Sequence, residues 1–356
     1  MNFKFKTQSF ESLRIDPEQR RTGQNSKFKF LLAAAILFVG AITTSAHAQE
    51  KKNIRLVLVS LSWNSEIPLR VAMAKGYFKE QGLNVEPIFI RGGPVALAAM
   101  VSGDADFGSI GGAQAVIRAR SRGLDVSIIG SISNTTNYAV VGSKGIKTVA
   151  DLKGKIVGVT GAGAFSDFAI RTYLKKSNME PDKDVILRAV GNTTMRAAAL
   201  EAGLVAAAPF SPEDAVRLTA KGFPLIVNLS ESLRIPQSIL TARDGLMEKY
   251  PETSKRFLKA MILGIQLAKK NKKEAIKAGY EAGLKGEPDI VNRAYDLYAP
   301  GLTPDLSIAV DGIQLMLDED IRAGLVDKKM TLERVINDRI LKQAQDELRR
   351  EGRLSP

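Results

Sequence analysis

From residue 54 onward, the apolar positions form short β-branched runs separated by stretches of helical spacing. IRLVLVS (54–60) reads as a buried strand, and IPLRVAMAKGYFKEQG (67–82) as a helix that stops at glycines. NVEPIFI (84–90) is the next strand, GGPVALAAMVSG a short helix ended by Gly103, and DFGSI a strand. GAQAVIRARSRG (112–123) then reads as a helix and VSIIGSI (126–132) as a strand. Strands alternating with helices at this spacing predict a parallel sheet in an α/β domain. NYAVVG (137–142) breaks the rhythm, and the pattern restarts. DLKG is a helical turn, KIVGVT (155–160) a strand and AFSDFAIRTYLKKSN a helix. DVILRAV, VAAAPF and PLIVNL follow as strands, with TTMRAAALEAG and SPEDAVRLTAKG as the helices between them.

The two runs resemble each other at an offset of 100 residues: Ala98-Ala99-x-x-x-Gly103 matches Ala198-Ala199-x-x-x-Gly203. Two alike α/β halves predict two lobes. From Leu246 onward the strand pattern stops, and residues 251–350 read as amphipathic helices broken near Gly286-Glu287-Pro288 and Pro300-Gly301. Such helices can cover the face of a sheet.

The amino-terminal stretch changes the picture. Phe30 to Ile42 is an apolar run of 13 residues, shorter than the about 20 that a membrane span needs. Lys27 and Lys29 precede it, and Ala46-His47-Ala48 follows. A basic flank, a short apolar core and an A-x-A ending form a secretory signal peptide. Residues 1–48 are therefore expected to be removed, after Ala48. His47 is the only histidine, and the chain has no cysteine. The mature protein would then have neither, which removes Ser-His-Asp and Cys-His mechanisms, disulfides, a lipoprotein anchor and nearly every zinc site. Beyond residue 48 the motifs S-x-x-K, G-x-S-x-G and G-x-x-x-x-G-K-[ST] are absent as well. Net charge is +13, from 51 Lys and Arg against 38 Asp and Glu. The charges are scattered rather than gathered into the stripe that a nucleic-acid partner would want. The expected compartment is the periplasm.

Several blocks now combine. AMAKGYFKEQGLNVE, a strand ending in GG, LAAMVSGDADFG, AVIRARSRGLDVSIIGS and TVADLKGKIVGV occur in this order. Together they resemble the substrate-binding proteins of ABC importers, in the branch for nitrate, sulfonates, taurine and thiamine-pyrimidine precursors. The resemblance implies an α/β, two-lobed periplasmic binding protein fold, type II-like, with the ligand cleft between the lobes and a helical C-terminal segment. Lobe 1 would hold residues 49–136 plus 240–356, and lobe 2 residues 137–239. NYAVVG marks the expected first crossing and IPQSILTA (235–242) the return. One departure stands out. The resembled proteins commonly carry Gly-x-x-Asp-Ala before the inner strand of the second lobe, and here Gly203-Leu204-Val205-Ala206-Ala207 lacks the aspartate.

In open α/β sheets, ligands bind outside the carboxyl ends of the strands. Those ends supply the candidate ligand-binding residues. Ser62, Trp63 and Asn64 follow the first strand, with Trp63, the only tryptophan, expected to stack on a planar ligand or wall the pocket. Gly92 and Gly93, after Arg91, and Gly111 and Gly112 are either close backbone approaches to the ligand or ordinary turns. Gly163, Ala164, Phe165 and Ser166 lie on a glycine turn opening a helix, where free N–H groups and the dipole favour a carboxylate, sulfonate or nitrate. Asn192 and Ser211 are cap-type residues at the second lobe's strand ends, and Glu213 sits in a first helical turn.

The sequence thus predicts a periplasmic receptor for a small, anionic organic or oxyanion ligand, with no cofactor, no metal and no catalytic residue. It would act as a monomer and deliver the ligand to a membrane ABC permease with its ATPase. The alternatives are an exported ligand sensor and an enzyme on the same scaffold that uses neither His nor Cys.

Overall fold

The computed structural model describes residues 50–90 and 92–355. The expected signal peptide, His47 and Arg91 lie outside the described residues. Ten strands follow in chain order. They are β1 (Asn53–Leu58), β2 (Asn84–Phe89), β3 (Phe107–Gly111), β4 (Ser127–Ser133), β5 (Ala139–Gly142), β6 (Ile156–Val159), β7 (Ile186–Ala189), β8 (Ala207–Phe210), β9 (Leu225–Asn228) and β10 (Ser238–Ala242). They form two five-stranded sheets, ordered β2-β1-β3-β10-β4 and β7-β6-β8-β5-β9.

The two orders are the same order. β1, β2, β3 and β4 correspond to β6, β7, β8 and β9, so the repeat at offset 100 is also a repeat in space. Burial follows position. β3, β4, β5, β8 and β10 are almost wholly buried, whereas β2 and β7 alternate or face water at the edges. Pro87 stands in β2, an edge strand, where a missing N–H costs no ladder bond on the open side.

The structure corrects the expectation of purely parallel sheets. β1 runs parallel to β2 and β3, and β6 to β7 and β8, but β10 is antiparallel to β3 and β4, and β5 is antiparallel to β8 and β9. The physical reason is the connectivity. Each of these strands enters its sheet directly from the other one, without a helical crossover to turn it parallel. The two crossings are tied together: the Asn137 N–H donates to Gln237 Oε1, the Thr136 N–H to Leu233 O at 3.1 Å, and the Gln237 N–H to Ser133 O at 3.2 Å.

A second correction concerns the first helix. It begins at Trp63 and ends at Ala74, and Gly76 (φ 74°) separates it from a short turn over Tyr77–Glu80. Ser62 takes extended backbone angles, and its carbonyl accepts from the Ser65 and Glu66 N–H groups at 3.2 and 3.1 Å. Polar residues that look like a loop are therefore the first helical turn. This places Trp63 and Ile67 on one face, four residues apart, and both are buried.

Past β10 the helices Pro251–Lys270, Lys272–Glu281 and Arg339–Arg350 cover the first sheet's outer face. Phe257 stacks on Phe107 of β3 with ring centroids 4.0 Å apart and planes 4° from parallel. The helix Pro251–Lys270 crosses Trp63–Ala74 so closely that a methyl on Gly264 would stand 2.4 Å from Pro68 O and 2.8 Å from Ala72 Cβ. Gly264→Ala would raise helix propensity by about 1 kcal/mol, but the neighbour it meets is backbone. A net loss of about 1–3 kcal/mol is expected, as for overpacking in general. Urea unfolding checks it: the midpoint should fall with the slope unchanged, and an unchanged or higher midpoint would refute the close crossing.

Candidate ligand-binding site

A cavity of about 340 Å3 lies between the two sheets. The first sheet contributes Val59, Ser60 and Ser62 beyond β1, Asn64 and Ser65 from the first helical turn, and Ser109, Ile110 and Gly111 at the carboxyl end of β3. The crossings contribute Asn137, Tyr138, Gln237 and Ser238. The second sheet's side contributes Thr193, Ser211 and Asp214. Strand carboxyl ends of both sheets and both crossings thus meet in one wall, as expected for open α/β sheets.

The wall is mostly neutral hydrogen-bonding chemistry. Ser60 Oγ lies 2.7 Å from Ser62 Oγ, and Ser62 Oγ donates to Ser65 Oγ at 3.2 Å. Asn64 is only 3% exposed, and its Oδ1 is buried without a hydrogen-bond partner among the described residues. An unpaired buried carbonyl is costly unless something in the cavity donates to it. Asp214 is the charged member of the wall. Its carboxylate is already engaged, accepting from Ser211 Oγ at 2.8 Å and from Arg217 Nη1 at 3.0 Å.

Three helices start at this wall: Trp63–Ala74, Thr193–Glu201 and Pro212–Ala220. Their first turns supply Asn64, Ser65, Thr193 and Asp214 to the cavity. Helix starts offer N–H groups and the positive end of the dipole, worth about 0.3–1 kcal/mol to an anion at exposed sites and up to about 2 when partly buried.

Two charged side chains stand behind the wall. Arg196, only 2% exposed, donates from Nε to Pro209 O (3.1 Å), from Nη1 to Gly191 O (2.8 Å) and Thr160 Oγ1 (2.7 Å), and from Nη2 to Thr193 Oγ1 (3.2 Å). Burial pulls its guanidinium below the ordinary value, against smaller opposing effects of Tyr138 and Asp214. Glu213 is also buried. Its Oε1 accepts the Trp63 backbone N–H at 2.9 Å, a bond from the second sheet's side to a helix start on the first, while Oε2 has no partner among the described residues. Burial pushes the Glu213 carboxyl up, and burial together with the Glu213 charge pushes the Tyr298 hydroxyl well up.

Of the residues chosen from sequence, Ser62, Asn64, Gly111 and Ser211 line the cavity. The others do not. The Trp63 indole is a core ring: Nε1 donates to Lys285 O at 2.9 Å, and the ring meets Tyr280 edge-on at 4.9 Å and fills the space beside Gly279. Gly92 (φ 97°) precedes the helix Gly93–Val101, and Gly93 lets that helix approach Ala115. Gly112 (φ 76°) leaves room for the Phe165 ring, which would sit 2.8 Å from a methyl there. These two residues meet each other across the sheets. Ala164 precedes the helix Phe165–Lys176, and Ser166 Oγ accepts the Thr160 N–H and donates to Thr160 Oγ1, both at 2.9 Å. The Gly163 N–H is taken by Asp167 Oδ2 at 2.9 Å, so the chain's own carboxylate fills the expected anion position. Gly163 lines a different cavity, of about 410 Å3, with Arg118 and Asp167. Asn192 caps its helix through the Met195 N–H at 3.0 Å.

Sequence reasoning missed the crossing residues Asn137, Tyr138, Gln237 and Ser238, and also Ser60, Ser65, Ser109, Thr193 and Asp214. Ser109 and Thr193 stand at strand ends, where the signal was available. The crossing residues become neighbours only through tertiary pairing.

A protein of Brucella abortus (strain 2308), named as a binding protein, is 28% identical over 146 residues, 40% of this chain and 44% of the relative. The chain thus matches less than half the length of that relative. Among solved structures, the periplasmic aliphatic sulphonate binding protein SsuA from Escherichia coli superposes with a TM-score of 0.63 at 18% identity, covering 81% of this chain and 92% of that one. The periplasmic nitrate-binding protein NrtA from Synechocystis PCC 6803 gives 0.66 at 15% identity, covering 84% and 89%. These likenesses establish the two-lobed fold of periplasmic binding proteins, as the sequence blocks implied. Residues 63–275, well over half of the chain, match the family described as NMT1/THI5 like, and the chain belongs to that family.

Proposed function

We propose that this chain is an exported solute receptor that takes a small anionic ligand between two lobes and delivers it to a membrane ABC permease with its ATPase. The lobes of this reading are residues 49–136 with 240–356, and residues 137–239. The observation that carries it is the cavity whose wall comes from both sheets and both crossings. A ligand there touches both lobes, so it binds the closed arrangement better than an open one and shifts the population toward it. A volume of about 340 Å3 is at the small end for ligand sites, which favours an oxyanion or a compact organic acid. Hydroxyls, amides and helix starts suit such a ligand, and the reading assigns binding rather than catalysis to them.

A thermal-shift screen of the mature chain tests this against nitrate, alkanesulfonates, taurine, aromatic carboxylates and pyrimidines. A ligand at about 100 times its dissociation constant should add about 2.7 kcal/mol. A flat response to every anion would end the anion reading.

The Glu213–Trp63 bond joins the two lobes of this reading and makes closure sensitive to pH. Folding raises the Glu213 carboxyl above its ordinary 4.5, so its stabilising contribution is fully present below that value and is lost as pH rises through the raised one. Glu213→Gln mimics the protonated form and keeps an acceptor for the Trp63 N–H. Its melting temperature should match the parent's near about pH 4 and exceed it near about pH 8. A difference of the same size at both pH values would exclude titration of Glu213.

A further inference from the structure

We infer that Arg196 is the residue that makes this cleft select a negative charge, acting through the Thr193 hydroxyl rather than by touching the ligand. The inference deepens the proposed receptor function and rests on it.

Four observations carry it. Arg196 is among the largest fully buried side chains of the protein. All its hydrogen-bond partners are neutral oxygens: Pro209 O, Gly191 O, Thr160 Oγ1 and Thr193 Oγ1. The carboxylate with any influence on it, Asp214, is committed to Ser211 and Arg217. A buried guanidinium without a carboxylate is a standing cost that a nearby anion would relieve. Second, Thr193 is a cavity-wall residue that accepts from Arg196 Nη2. A hydroxyl whose oxygen accepts from a cation is left a polarised O–H to donate. Third, Asn64, nine-tenths buried in the same wall, has an unpartnered Oδ1, so the cavity is built to meet a polar occupant.

The fourth observation comes from the repeat. At the offset of 100, Arg196 falls on Ala96 and Thr193 on Gly93, in the matching helix Gly93–Val101. Ala96 is fully buried there. The helix-on-sheet packing of this unit is therefore satisfied by a methyl group, and the fold does not require an arginine at that place. The second unit carries charge where its twin carries none, one residue layer from the shared cleft.

Calorimetric titration of the mature protein tests this with three anions, nitrate, ethanesulfonate and benzoate, and with the neutral isosteres ethanesulfonamide and benzamide. The parent should bind at least one anion and prefer it to its neutral isostere. Thr193→Val and Arg196→Gln should each weaken that anion by about 10- to 100-fold and leave the neutral isostere nearly unchanged. Arg196→Lys keeps the charge but loses the fork, and should retain the preference. A purely structural arginine would give the opposite pattern, with both Arg196 variants less stable and the preference intact. If Arg196→Gln does not fold, Thr193→Val and Arg196→Lys decide. Equal anion binding by the parent and Thr193→Val, or a parent that prefers the neutral isostere, overturns the role of Arg196 and leaves the receptor reading standing. A parent that binds none of the three anions overturns the anion reading and this role with it.

Discussion

Each sheet is completed by a strand that enters from the other sheet. β5 comes straight from β4, and β10 straight from β9 by way of a short helical turn, and each inserts antiparallel inside its new sheet rather than at an edge. Both sides of each inserted strand are then hydrogen-bonded, so neither can leave without breaking two ladders. The chain passes between the sheets through the few residues between these strand ends. These residues are also cavity wall: Asn137 and Gln237, a hundred residues apart, hydrogen-bond to each other there. The segments that join the sheets therefore also form part of the cavity wall.

Charge in this site is arranged by depth. The inner surface is hydroxyl, amide and backbone, and its carboxylate, Asp214, is neutralised by Arg217. Arg196 and Glu213 lie behind it, both buried. A counter-ion at the surface would be weakened by salt over about 8–10 Å. A buried one acting through oriented hydroxyls is screened much less, and the dipoles it orients need no reorganisation when a ligand arrives.

The alternation of strands and helices was legible because β2, β3, β5, β6 and β7 run into glycine turns, and the repeat made the pairing of units legible. The strand-end rule reached Ser62, Asn64, Gly111 and Ser211 because they sit where the chain leaves a sheet. It failed at Trp63 because Ser62, Asn64 and Ser65 look like loop residues, whereas the Ser62 carbonyl already starts a helix that turns the indole toward Tyr280 and Gly279. At the turn before Phe165, the acid four residues beyond Gly163, Asp167, folds back onto the Gly163 N–H, one of the groups the rule offered to an anion. Arg196 was invisible for a different reason. In TTMRAAALEAG it has the look of a solvated base on an alanine-rich helix, and only the position of Pro209 O and Gly191 O shows that it points inward.

The missing aspartate of the second unit explains how the halves diverge while the backbone does not. In the first unit Asp106 is fully buried, accepts the Arg55 N–H at 2.9 Å and pairs with Lys51. The matching residue, Ala206, has no carboxylate. Even so, the Ala206 N–H donates to Ile156 O at 2.8 Å, as the Asp106 N–H donates to Arg55 O at 2.9 Å. The strand entry is therefore set by the main-chain bond, and the buried acid is an addition to it. A buried carboxylate is tolerated only with its partners present, whereas an alanine at this place needs none. At Arg196 the relation is reversed, because the second unit buries a guanidinium where the first has Ala96. Neutral oxygens, the Thr193 hydroxyl of the cavity wall among them, hold that guanidinium in place of a carboxylate.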